Sequence, residues 1–119
     1  MTHYMNLHAL PFSLIQSGQK TIELRLYDEK RRLIKVGDTI VFTHSDDGAQ
    51  RCAAVVKALH IFPDFAVLYT ALPLEKCGYL PEELSEASPE DMNVYYSQEK
   101  QSTYGVVGIE IQRIEGELE

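Results

Sequence analysis

Hydrophobic and polar positions alternate most cleanly over residues 20–27, Lys-Thr-Ile-Glu-Leu-Arg-Leu-Tyr. In an extended chain Ile22, Leu24 and Leu26 fall on one face, and Thr21, Glu23, Arg25 and Tyr27 on the other. This period of two predicts a strand with one apolar face and one chemically equipped face. Upstream, residues 3–8 form a short first strand, and Ala9-Leu10-Pro11 leads into a helix over residues 12–17. Pro11 suits its first turn and Gly18 a left-handed C-terminal cap. Downstream, residues 28–32 read as a polar turn or single helical turn, and Lys35-Val36-Gly37-Asp38 reverses the chain into a mostly buried strand over residues 39–43. Asp47-Gly48 favours a hairpin into the apolar run 52–59. Three sequential strands with short links predict an antiparallel sheet.

The second half patterns differently. Phe65, Leu68 and Tyr69 stand at helical spacing and Leu80-Pro81-Glu82-Glu83-Leu84 reads as another short helix. Residues 64–86 are thus an insertion between strands, placed to lid a cleft. Ser88-Pro89-Glu90-Asp91 opens a helix by capping and dipole complementarity. That helix carries Met92, Tyr95, Tyr96 and Glu99 along one face and ends near Lys100. Residues 104–111 form a final half-buried strand, with Val107, Ile109 and Ile111 facing one way and Val106, Gly108 and Glu110 the other. The acidic end from Glu115 is expected to fray.

At 119 residues, 45% hydrophobic and 24% charged, the chain matches one soluble domain spanning residues 1–119. No apolar run approaches the roughly 20 residues of a membrane helix, and the N-terminus lacks the build of a signal peptide, so a cytoplasmic location is expected. Cys52 and Cys77 fit reduced, partly buried thiols rather than a disulfide framework. His3, His8, His44 and His60 show no metal-ligand spacing, and neither a metal nor another cofactor is expected. The net charge of −7 opposes a long nucleic-acid track, since phosphate neutralisation needs Lys and Arg. It is unevenly spread. Residues 1–63 hold 8 basic and 6 acidic side chains, and residues 64–119 hold 3 and 12. Lys20, Arg25, Lys30, Arg31, Arg32 and Lys35 crowd into one stretch, so a local positive surface suits a short strand, a nucleotide or a nucleoside.

Glu23 and Arg25, roughly 6–7 Å apart along one face, can grip a single ligand, with Lys20 at the strand mouth to join them. Arg25 offers a planar fork for a phosphate or carbonyl, Glu23 an acceptor for an amine or hydroxyl, and Lys20 a compact charge or a base. The alternative is a solvated sheet face of weakly paired charges. Tyr95, Tyr96 and Tyr104 can stack on a base, whereas core packing is the alternative, chiefly for Tyr95.

The pattern Gly18-x-Lys20-x-x-Glu23-x-Arg25 resembles the opening motif of the ASCH domain family, within the PUA-like superfamily. The resemblance continues through 28–32 and Lys35-Val36-Gly37-Asp38, and returns in Tyr95-Tyr96-Ser97-Gln98-Glu99 and Tyr104-Gly105-Val106-Val107-Gly108-Ile109. It implies an α+β fold, a PUA-like small β-barrel of mainly antiparallel strands with helices packed beside it. It also implies a cleft lined by Lys20, Glu23 and Arg25, with Tyr96 and Tyr104 as further ligand-binding residues, for short RNA, a nucleotide or a nucleoside in RNA metabolism. A second reading is a metal-independent hydrolase, either an amidohydrolase on acetylated cytidine or a ribonuclease, with Lys20 and Glu23 catalytic. The amidohydrolase branch carries a lysine, a threonine three residues later and a distant glutamate. Here Glu23 stands at the threonine position, and Glu75 is one candidate for the distant acid. A third reading is a protein-interaction adaptor.

Overall fold

The computed structural model describes residues 1–114. Its strands are β1 (Thr2–Leu7), β2 (Ile22–Leu26), β3 (Thr39–His44), β4 (Arg51–Phe62) and β5 (Val106–Arg113); its α-helices are α1 (Ala9–Gln16), α2 (Phe65–Ala71) and α3 (Gln98–Tyr104). The strands make one sheet in the order β1-β3-β4-β5-β2, with β1 and β3 parallel and every other pair antiparallel. Curled into a half-barrel with helices beside it, this sheet is the α+β, PUA-like architecture implied by the motif. Among the described residues, no helix is long and apolar enough to cross a membrane.

Two expectations about the sheet change. β2 does not pair with β3: it lies at the far edge against β5, with Glu23 opposite Ile109 and Arg25 opposite Val107. The short links carry the chain across the half-barrel rather than to the neighbouring strand, and β1 fills the place beside β3. The second change concerns burial. β2 and β5 are covered on both faces, because two apolar clusters flank the sheet. Met5, Phe12, Ile15, Phe42, Val107, Ile109 and Ile111 pack on one side. Ile22, Leu24, Leu26, Phe65, Leu68, Met92 and Val106 pack on the other. The inserted segment supplies that second cover, so β5 is buried rather than half-buried. Gly108 makes the approach close: a Cβ there would lie 2.6 Å from Leu72 Cδ1 and 3.2 Å from Ile22 Cγ2.

The helix expected over residues 88–100 is broken. Pro89–Val94 forms a 3-10 turn capped by Ser88, and α3 starts afresh behind Ser97, whose hydroxyl accepts from the Lys100 amide at 3.2 Å. Buried Gln101 bridges the break, its amide nitrogen donating to Asn93 Oδ1 and to the Tyr96 carbonyl, both at 3.0 Å. Competing Ser caps explain the split, since a second cap satisfies donors that a continuous helix would not need satisfied. Residues 81–86 are likewise a 3-10 turn rather than an α-helix. The expectation for Glu115 onward lies outside the described residues.

Candidate functional site

The chain arrives at β2 through the end of α1. Gly18 takes φ +86°, a backbone shape that favours glycine, and the amides of Gly18 and Lys20 bond back to the carbonyls of Ile15 and Leu14. This closure fixes Lys20 at the strand mouth. Strand alternation then delivers Glu23 and Arg25, and the three heads meet: Lys20 Nζ lies 2.8 Å from Glu23 Oε1, and Arg25 Nε donates to Glu23 Oε2 at 2.7 Å. Glu23 is 3% exposed. Arg25 also spans the open seam of the half-barrel, its Nη2 donating to the Asn6 carbonyl of β1 at 3.1 Å.

Burial by itself would raise the Glu23 carboxyl, but the charges and hydrogen bonds of Lys20 and Arg25 outweigh it and hold the carboxyl below its usual range. For Arg25, burial would lower the guanidinium, yet the Glu23 charge and Tyr96 keep it above its ordinary value. Burial pushes the Tyr96 phenol up, partly countered by Arg25. The trio is therefore a fixed carboxylate between two cations, with one positive charge in excess.

It lies in a cleft of about 390 Å³. One wall comes from the end of β1 and the start of α1, with Asn6, His8, Leu10 and Leu14; the other comes from the insertion and the segment after it, with Tyr69, Cys77, Tyr79, Glu83, Asp91, Met92, Tyr95 and Tyr96. The insertion is fastened next to Lys20 by the Thr21 amide, which donates to the Lys76 carbonyl at 2.9 Å. Gly78, at φ +111°, lies against the lysine stem, where a Cβ would come within 3.2 Å of Lys20 Cδ. On the far wall the Tyr69 and Tyr79 hydroxyls are 2.7 Å apart, and Tyr79 donates to Asp91 Oδ2 at 2.7 Å. Burial first, then these hydrogen bonds, raise the Tyr79 phenol, so it remains a neutral donor. Cys77 is a free thiol pushed up to about 11, chiefly by burial.

The structure gathers Lys20, Glu23, Arg25 and Tyr96 at this cleft, but not Tyr104. That side chain lines a second depression with Leu26, Asp28, Glu29, Lys30 and Lys100. Tyr95 reverses its expected role, being 62% exposed at the cleft mouth with its ring 6.4 Å from that of Tyr96, which itself stacks on Phe65. Glu75, the candidate for the distant acid, is exposed and lies outside the cleft lining. The acids that do reach the cleft, Glu83 and Asp91, carry cap signals in sequence and act as caps: they accept from the backbone amides of Leu80 and Ser88. Their second role on a cleft wall has no local signature. Tyr79 and Tyr69 come together only through the fold of the insertion.

Comparison with known proteins adds the family. The hypothetical protein PH0355, whose crystal structure is solved, is 34% identical, with 96% of this chain and all of that one aligned at a TM-score of 0.79. Protein PF0455 from Pyrococcus furiosus, solved by NMR, is 37% identical over 98% of this chain and all of that one, at a TM-score of 0.72. The crystal structure of an ASCH protein from Zymomonas mobilis shares the fold at 17% identity and a TM-score of 0.64, covering 93% of this chain and 66% of that one. Among proteins of curated function, none matches this chain. The family model described as the ASCH domain matches residues 5–115, nearly the whole length, and the chain belongs to the ASCH domain family.

Proposed function

We infer that the cleft binds a nucleotide or nucleoside unit of single-stranded RNA, with the polar edge of that unit held on Lys20, Glu23 and Arg25. One observation carries this reading: a buried carboxylate shared between a lysine and an arginine lines a cleft of ligand size, with one positive charge in excess. A planar base or a phosphate suits that surface. Carbonyl and phosphate oxygens complement the two cations, an exocyclic amine complements the carboxylates of Glu23 and Asp91, and the Tyr95–Tyr96 pair gives a base a face to lie on.

Binding fits the site better than acid–base catalysis. A general base works best with a pKa near the working pH, and the neighbours of Glu23 move it the other way. The hydroxyl expected three residues beyond the lysine of an acetylcytidine amidohydrolase is replaced here by the Glu23 carboxylate.

The test is a thermal-shift screen of the intact protein against nucleosides, mononucleotides and short oligoribonucleotides. A ligand that selects the folded state at a hundred times its Kd adds about 2.7 kcal/mol of stability. At least one probe should raise the melting temperature, and Lys20→Ala and Arg25→Ala should abolish that rise. No rise with any probe, or a rise that both variants keep, removes the reading. Turnover of acetylcytidine or RNA that disappears in Lys20→Ala would replace it with the hydrolase.

A further inference from the structure

Tyr104 and the basic run after β2 are not absorbed by the main cleft, and they come together elsewhere. The second depression, about 290 Å³, is lined by Leu26, Asp28, Glu29, Lys30, Lys100 and Tyr104. Leu24 lines the first cleft and Leu26 the second, so both hollows border β2. The hollows also share neighbours: the charges of Arg31 and Asp28 act on the Tyr96 phenol of the first cleft.

The groups around the second hollow have the character of a phosphate and base subsite. Arg31 Nη1 pairs with Asp28 Oδ2 at 3.2 Å, just behind the lining. Arg32 lies 4.3 Å above the Tyr27 ring and donates through Nη2 to the Tyr104 carbonyl at 3.1 Å, fixing the end of α3 against the basic run. Lys30 and Lys100 are exposed. Of the two carboxylates in the lining, Asp28 is paired with Arg31 and Glu29 is exposed, which leaves Lys30 and Lys100 as the cations that face the hollow. The half-buried Tyr104 ring adds an aromatic surface, and base stacking on such a ring is sequence-tolerant.

We propose that this second depression takes the neighbouring nucleotide of the same strand, its phosphate on Lys30 and Lys100 and its base beside Tyr104, so that the preferred ligand is single-stranded RNA of two or more nucleotides. The proposal rests on the reading of the first cleft but fails separately from it. Lys30 and Lys100 are exposed, so Lys30→Ala/Lys100→Ala leaves the fold intact. The experiment measures fluorescence anisotropy of a labelled short oligouridylate across a salt series, alongside calorimetry with uridine 5′-monophosphate. Each phosphate contact on a single strand contributes about 0.7 to the salt slope, so the double variant should lower the slope by about 1.4 and weaken binding roughly 25-fold near 0.1 M salt. Monophosphate binding should stay unchanged. An unchanged oligouridylate affinity and slope, with monophosphate still bound, overturns the second subsite and spares the first. Equal loss for both probes also overturns it, since the lysines would then serve only the general field. Failure of the intact protein to bind either probe removes both readings.

Discussion

Removing the Glu23 carboxylate tests the site and the fold at once. Glu23 is 3% exposed, and its partners Lys20 and Arg25 have side chains only 11% and 14% exposed. Glu23→Ala deletes the acceptor of two charge-assisted contacts, each worth about 1.5–3 kcal/mol, and leaves two like charges facing each other in a largely buried site. Breaking a buried ion pair from one side typically costs about 3–5 kcal/mol, mostly the penalty of the stranded charge. Here both strands of the argument point to the upper part of that range. Lys20→Ala leaves the Arg25–Glu23 pair intact and should cost only about 1–2 kcal/mol by the same reasoning. In urea unfolding, with m near about 2 kcal/mol/M, Glu23→Ala should lower the midpoint by about 2 M without altering m. The apolar triple variant Lys20→Met/Glu23→Leu/Arg25→Met should recover most of the loss, because no charge remains to strand. A Glu23→Ala loss below about 1 kcal/mol would refute the reasoning, since it would mean that the three heads are solvated.

Other expectations are smaller in scope. Asp38 is held at about 2, first by its hydrogen bond from His3 and then by the Lys35 amide, so it is lower folded than unfolded; its stabilisation is present above about pH 4 and lost as pH falls towards 2. Asp38→Asn should flatten that part of an acid-unfolding curve followed by circular dichroism, and an unchanged curve would contradict the assignment. Tyr95→Ala should leave the melting temperature within a degree or two, because the ring is exposed, yet weaken binding of a base by about 1–3 kcal/mol in calorimetry; unchanged affinity would remove Tyr95 from the site. Cys77, pushed up to about 11, and Cys52, also raised by burial, should resist a thiol reagent at pH 8 until urea is added, whereas rapid labelling of the native protein would show that the cleft opens to admit reagent.

The local grammar of the chain carried a great deal of this. Gly18, Pro11 and the alternation over residues 20–27 suffice to place a helix stop, a strand and the three ionisable heads of the site, because each depends on backbone geometry within a few residues. Pairing partners are another matter. Nothing local distinguishes a β2 that pairs with β3 from one that pairs with β5, since that choice is made by which apolar face the insertion covers. The break at residues 95–97 hides for a related reason: the apolar spacing from Met92 onward is compatible with one helix, and the decision falls to Ser97 and to a buried Gln101 that satisfies the exposed backbone. Breaking the helix leaves Tyr95 exposed, and Tyr104, expected at the start of the last strand, instead closes α3 and lines the other hollow.

That same division of the chain explains how an acidic domain can present a cationic site. The first 63 residues carry the cations and build the floor, while the acidic second half builds the roof and its capping carboxylates. At physiological salt the field of exposed charges fades over about 8 Å, so a ligand within the cleft responds to Lys20, Glu23 and Arg25 more than to the net −7 of the whole. A long polyanion has no such shelter: its backbone must pass the acidic rim at Glu83 and Asp91, where each phosphate meets a like charge. On the proposed reading, the site therefore favours a short or locally extended strand over a duplex. The preference arises from where the acids stand, on the wall opposite the cations, rather than from their number.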